Sequence, residues 1–166
     1  MKTVIVYDSV FGNTEKVAQS VGQALGAAAE VSVLRVSEAT PERLRGADLL
    51  IAGAPTRQFR ASDGMRQWLD SLPAGALQGI RTAAFDTRMS VKDANVWILT
   101  VMVKIFGYAA EPMAKKLKAK GGQPTGTPAG FLVKGTEGPL FDGELERAAA
   151  WAQGLAASRP PYPPTP

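Results

Sequence analysis

The stretch Val4-Ile5-Val6-Tyr7-Asp8-Ser9-Val10-Phe11-Gly12-Asn13-Thr14-Glu15 changes character twice within a few residues. Val4 to Tyr7 is an unbroken apolar run, β-branched at three positions, which is the composition of a strand buried on both faces. Ser9 to Thr14 is small and hydroxyl-bearing with one glycine, and beyond it Val17, Val21, Ala24 and Leu25 recur at the spacing of one helix face. Strand, short polar loop and helix start, in that order, bring several backbone N–H groups and the positive end of a helix dipole to one point. A phosphate fits that point. Ser9 and Thr14 add hydroxyl donors, Asn13 adds an amide donor, Gly12 permits close backbone approach, and Val10 and Phe11 complete the loop. Simple capping of the helix is the plainer alternative, but it accounts for Thr14 and not for the whole loop. The lysine of a nucleotide-hydrolase loop and the glycine triplet of a dinucleotide fold are both missing from this stretch, so a single phosphate is favoured.

Outward from this unit the alternation repeats. Val31 to Val36 reads as a second strand. Thr40-Pro41 supplies an N-cap and a proline at the first helical position, predicting a brief helix over 41–46 before Leu49-Leu50-Ile51-Ala52, the third strand. Met65, Trp68, Leu69 and Leu72 form another helical stripe, and Thr82-Ala83-Ala84-Phe85 is the fourth strand. Phe131-Leu132-Val133 is the fifth, between a helix over 110–120 that stops at Gly121-Gly122 and a helix over 143–156. Such an order predicts an α/β fold, a doubly wound parallel sheet of five strands, occupying residues 1–158 as one domain. Residues 159–166 are a proline-rich tail unable to build a core.

The whole chain has 166 residues, 45% apolar and 20% charged, which suits one globular domain. It contains no cysteine and no histidine, which excludes disulfides, thiolate catalysis, a Ser-His-Asp triad and imidazole metal ligands. Any chemistry must come from carboxylates, hydroxyls, backbone amides or a bound cofactor; no metal site is expected. The opening apolar run is too short and too early for a signal peptide, so a cytoplasmic protein is expected. The net charge of +4 is concentrated between residues 104 and 120, where Lys104, Lys115, Lys116, Lys118 and Lys120 outnumber Glu111. A solvated helix face explains that cluster better than a nucleic-acid site.

At the first loop the chain resembles the flavodoxin family, whose pattern is a strand, then Ser/Thr-x-x-Gly-Asn-Thr, then a helix; Ser9, Gly12, Asn13 and Thr14 match it. The Tyr7-Asp8-Ser9 opening also looks like the flavodoxin domains fused to diiron flavoproteins. The resemblance implies strand order 2-1-3-4-5 and FMN at the carboxyl ends of strands one, three and four. Its ring would lie between loops that correspond to Gly53–Ser62 and Asp86–Ser90. In the first of these, Gly53-Ala54-Pro55-Thr56 is family-like, whereas Arg57 and Gln58 stand where many members have an aromatic residue and a glycine. Phe59 is the nearest aromatic, and Arg57 either lies by the polar edge of the flavin or projects into water. Gln58 is expected to resist the positive φ that a glycine would adopt to stabilise a one-electron-reduced ring. In the second loop Asp86 is a candidate acceptor for the N3–H of the ring, or a turn-forming aspartate at a strand end. Thr87, Arg88 and Met89 are further candidates.

Residues Asp93 to Tyr108 are nearly all apolar and exceed what a minimal flavodoxin needs. Read as a helix, they leave Thr100, Lys104 and Glu111 on one narrow polar stripe, so an added apolar helix after strand four is expected to join a second copy of the chain, in preference to a membrane surface. Three readings of function follow: an FMN-binding electron carrier, favoured; an FMN-dependent NAD(P)H or quinone oxidoreductase; and a non-catalytic oligomeric module with a flavin site. The redox partner is not legible.

Overall fold

The computed structural model describes residues 1–26, 30–89 and 108–158. The elements run β1 (Lys2–Tyr7), α1 (Asn13–Gly26), β2 (Glu30–Arg35), a 3-10 turn (Val36–Glu38), α2 (Pro41–Leu44), β3 (Leu49–Arg57), β4 (Arg60–Ala61) and α3 (Asp63–Ser71). They continue with β5 (Arg81–Met89), α4 (Ala110–Ala119), β6 (Gln123–Pro124), β7 (Ala129–Val133) and α5 (Glu144–Ala157). Strands pair in parallel in the order β2-β1-β3-β5, and β6 and β7 share the next position, β6 beside the start of β5 and β7 beside its end. In the sequence numbering of strands this is the expected 2-1-3-4-5.

Period-two alternation sorts the strand residues onto two cores. Val4, Val6, Leu50, Ala52, Ala54 and Ala84 face α3 and α4, where Met65, Trp68, Leu69, Met113 and Leu117 are buried. Ile5, Tyr7, Leu49, Ile51, Ala83 and Phe85 face α1 and α5, meeting Val17, Val21, Ala148, Ala152 and Leu155. Phe85 packs edge-on against Phe131 and Trp151, with ring centroids 5.9 and 6.1 Å away. That arrangement requires Gly53, since a Cβ there would stand 2.1 Å from the Phe85 ring. Two lysines of the basic cluster are tied down: Lys116 pairs with Asp70 at 2.5 Å, and Lys120 donates to the Leu72 and Asp70 carbonyls.

Two expected loops are instead strand. β3 runs on to Arg57 and turns back into β4 (Thr56 opposite Ala61, Arg57 opposite Arg60), while β5 runs to Met89 because β7 pairs with Phe85 through Met89. Ladder hydrogen bonds thus hold both regions that flank the cavity. The expected apolar helix at 93–108 and the tail at 159–166 lie outside the described residues, apart from Tyr108. No helix among the described residues is long and apolar enough to cross a membrane.

Candidate functional site

The carboxyl ends of β1, β3 and β5 surround a cavity of about 640 Å³. In a doubly wound sheet this is the crevice where the connections part to opposite faces.

Its floor is the β1–α1 loop. Asp8 N–H donates to the Gly53 carbonyl at 2.9 Å, continuing the sheet for one more residue, and Asp8 accepts from Ser9 N–H (3.0 Å) and Ser62 Oγ (2.6 Å). Ser9 Oγ in turn accepts from Gly12 N–H at 3.0 Å, closing a turn in which Gly12 has φ of +86°. The Gly12 carbonyl takes the N–H of Lys16, so the helix begins here. The N–H groups of Val10, Phe11, Asn13 and Thr14 meet no acceptor among the described residues. These orphan donors, at the positive end of a 14-residue helix, form an anion cradle.

Neighbouring elements fix that cradle in place. Asn13 donates its amide to the Glu137 carbonyl at 2.8 Å, an approach that Gly138 allows, since a Cβ there would stand 2.5 Å from the Asn13 amide. The Arg35 guanidinium donates to the Ser9 carbonyl at 2.5 Å. Thr14 and Thr87 share a buried hydroxyl–hydroxyl hydrogen bond of 2.8 Å, linking the first loop to the end of β5.

One wall of the cavity is the β3–β4 hairpin. Its two-residue turn, Gln58-Phe59, has φ of +48° and +64°, the sign pattern of a type I′ turn. The expectation that Gln58 refuses positive φ is therefore overturned. A hairpin pinned by Arg57 opposite Arg60 needs a turn matching the right-handed strand twist, and that geometry prevails over a cost of roughly 1 to 2 kcal/mol per residue.

The opposite wall is β5. Asp86 and Arg88, two apart and hence on one face of the strand, form a bidentate ion pair at 2.5 and 2.8 Å. Asp86 is fully buried and also accepts the N–H of Ala110 at the start of α4 (2.8 Å). Burial pushes its carboxyl above the usual range, against the pull of Arg88 and the Ala110 N–H. Arg88 lies 3.7 Å from the centre of the Tyr108 ring and crosses β7 at Gly130, where a Cβ would stand 2.1 Å from the guanidinium carbon. Ala109 N–H donates to Thr56 Oγ1 at 3.0 Å. Residues 108–110 are thus fastened to both walls.

Of the candidates from sequence, Ser9, Val10, Phe11, Asn13, Thr14, Pro55, Thr56, Arg57, Gln58, Thr87, Arg88 and Met89 line the cavity. Gly12 shapes the loop from behind, and Phe59 does not line the cavity. Asp86 is corrected: its oxygens are spent on Arg88 and Ala110 in the protein interior, so it does not face a ring. Sequence reasoning missed Asp8 and Ala61, Asp63 and Gly64 as lining residues, with Val133 and Thr136 from the β7 side. The Asp86–Arg88 pair had a readable signal, opposite charges at i and i+2 of a strand; Thr136 had none.

The family model for the flavodoxin domain matches residues 4–127. The chain belongs to the flavodoxin family. Membership in this flavin-binding, electron-transfer family agrees with the solved structures it resembles. Oxidised flavodoxin 1 from Bacillus cereus superposes with a TM-score of 0.73 at 20% identity, over 94% of this chain and 97% of that one. A flavodoxin from the domain Archaea gives 0.70 at 21% identity over 94% and 96%. Rubredoxin oxygen:oxidoreductase from Desulfovibrio gigas gives 0.69 at 20% identity, over 93% of this flavodoxin but only 35% of the larger chain.

Proposed function

We propose that this flavodoxin binds FMN and carries electrons. The observation supporting FMN is the row of N–H groups at Val10, Phe11, Asn13 and Thr14, unpartnered among the described residues, which fits one phosphate group. The flavin would supply the redox chemistry; the chain holds the phosphate at the helix start and gives the ring a wall of strand on either side. Titration of the apoprotein with FMN and with riboflavin tests this. FMN should bind far more tightly, and Asn13→Ala with Thr14→Ala, which cut the ties of the cradle to Glu137 and Thr87 and so loosen its N–H groups, should weaken FMN by about 2 to 4 kcal/mol and riboflavin by much less. Equal affinity for the two flavins removes the phosphate argument.

An FMN-dependent NAD(P)H or quinone oxidoreductase is the second reading. It is favoured by Arg57 and Arg60, which line the cavity without an ion pair among the described residues. Each poorly shielded positive charge near the ring favours its anionic, fully reduced form by about 1 kcal/mol, which suits two-electron chemistry. Stopped-flow mixing with NADH, NADPH and a quinone separates the two: rapid turnover marks the oxidoreductase. Self-association through 93–108 rests on the apolar sequence of that segment.

A further inference from the structure

We propose that the mouth of this cavity docks an acidic protein through an apolar centre edged by arginine. Among the described residues five large apolar side chains stand well exposed, and three of them, Val10 (48%), Phe11 (47%) and Met89 (43%), line this one cavity. Val10 and Phe11 come from the floor loop and Met89 from the end of β5, so two elements contribute to the patch. Lone exposed apolar residues are ordinary, whereas a group gathered at one opening marks an interaction surface.

Charge decides the occupant. The hairpin and the start of α3, residues 57–66, carry three arginines against Asp63 alone, a local charge of +2. Asp63 is engaged by Arg66, and its carboxyl is held below the usual range first by that hydrogen bond and then by the fields of Arg60 and Arg57. Arg57 and Arg60 are exposed, line the cavity, and form no ion pair among the described residues. Of the other charged lining residues, Arg88 is neutralised by Asp86, and half-buried Asp8 accepts hydrogen bonds from Ser9 N–H and Ser62 Oγ, so the two exposed arginines still outweigh it. Two free guanidinium groups beside an apolar patch complement a partner whose own apolar patch is edged by carboxylates. A patch of three apolar side chains and two arginines at one cavity suits the small, transient footprint of an electron-transfer encounter. This docking gives purpose to the proposed flavin site, but its test needs no flavin.

The test measures binding of a plant-type [2Fe–2S] ferredoxin, which is acidic, and of cytochrome c, which is basic, by calorimetry at 20 and 300 mM NaCl. Both apoprotein and FMN-titrated protein are used. The wild type should bind the ferredoxin in preference to cytochrome c, and its affinity should fall about tenfold or more over that salt range. Arg57→Gln with Arg60→Gln should remove most of the salt-dependent part, and Arg57→Glu with Arg60→Glu should reverse the preference. Phe11→Ser should weaken ferredoxin binding at both salt concentrations, since apolar contacts are not screened. Circular dichroism confirms that each variant is folded; if one is not, Arg57→Lys with Arg60→Lys, which should retain salt-dependent binding, stands beside the single glutamine variants. A preference for cytochrome c, salt-independent binding, no binding of ferredoxin at 20 mM NaCl, or indifference to the arginine changes overturns the proposal. FMN titration without ferredoxin binding defeats the docking alone, and ferredoxin binding without FMN titration defeats the cofactor alone.

Discussion

Gln58 occupies a conformation that an L-residue other than asparagine or glycine adopts at a cost, and its side chain is exposed, so little else opposes a change there. Gln58→Asn should raise the unfolding free energy by about 0.5 to 1 kcal/mol, because asparagine tolerates the left-handed region. Gln58→Val should lower it by more than about 1 kcal/mol, since β-branching makes that region worse. Urea midpoints at constant slope check both. Asp86 shows the opposite extreme, a side chain that cannot be spared: Asp86→Ala should cost about 3 to 5 kcal/mol by leaving Arg88 and the Ala110 N–H without their buried acceptor. The two described tyrosines set an alkaline limit. Burial, with the hydrogen bond to Glu15, pushes the Tyr7 phenol above the ordinary range, and burial does the same to Tyr108 against the pull of Arg88. A raised folded value means that the unfolded chain loses these protons first, so their contribution is intact below about pH 10 and lost as pH rises through the folded values. Urea midpoints measured from pH 8 to 11 should hold level and then fall, and Tyr108→Phe should reduce the fall.

At the scale of elements, β3 and β5 form the two walls of the site, and each is constrained by what crosses it. Gly53 of β3 makes room for the Phe85 ring, so Gly53→Ala should destabilise by about 1 to 3 kcal/mol through overpacking, with loss of near-ultraviolet circular dichroism from the Phe85–Phe131–Trp151 cluster. This scale also shows what the sequence disclosed. The turn that opens α1 and turns its free N–H groups toward the cavity was legible because everything it needs lies within Ser9 to Thr14. The outer halves of β3 and β5 were not, because their strand character depends on partners far along the chain, Arg60–Ala61 and Ala129–Val133. The hairpin gave no warning at all: Gln58-Phe59 lacks the Asn-Gly signature, and only the pairing of Arg57 with Arg60 forces the turn. Asp86 looked like a ligand because its burial against α4 depends on where Ala110 returns to the sheet.

For the molecule as a whole, each face of the sheet has its own core, and the site lies at the end where the two cores open apart. Replacing Ile98 and Met102 by glutamate tests the proposed self-association: sedimentation should shift toward monomer without loss of flavin binding. A wild-type protein that is already monomeric at micromolar concentration would count against the idea. Residues 90–107 also begin and end at the same place, since Met89 follows Arg88 and Tyr108 stacks on it. With Met89 and Tyr108 brought together in this way, the entropy of closing chain between them changes by only about 0.6 kcal/mol for each doubling of its length. Length at this point is thermodynamically almost free, so the opening of the cavity is a place where this fold can acquire new sequence without renegotiating its core.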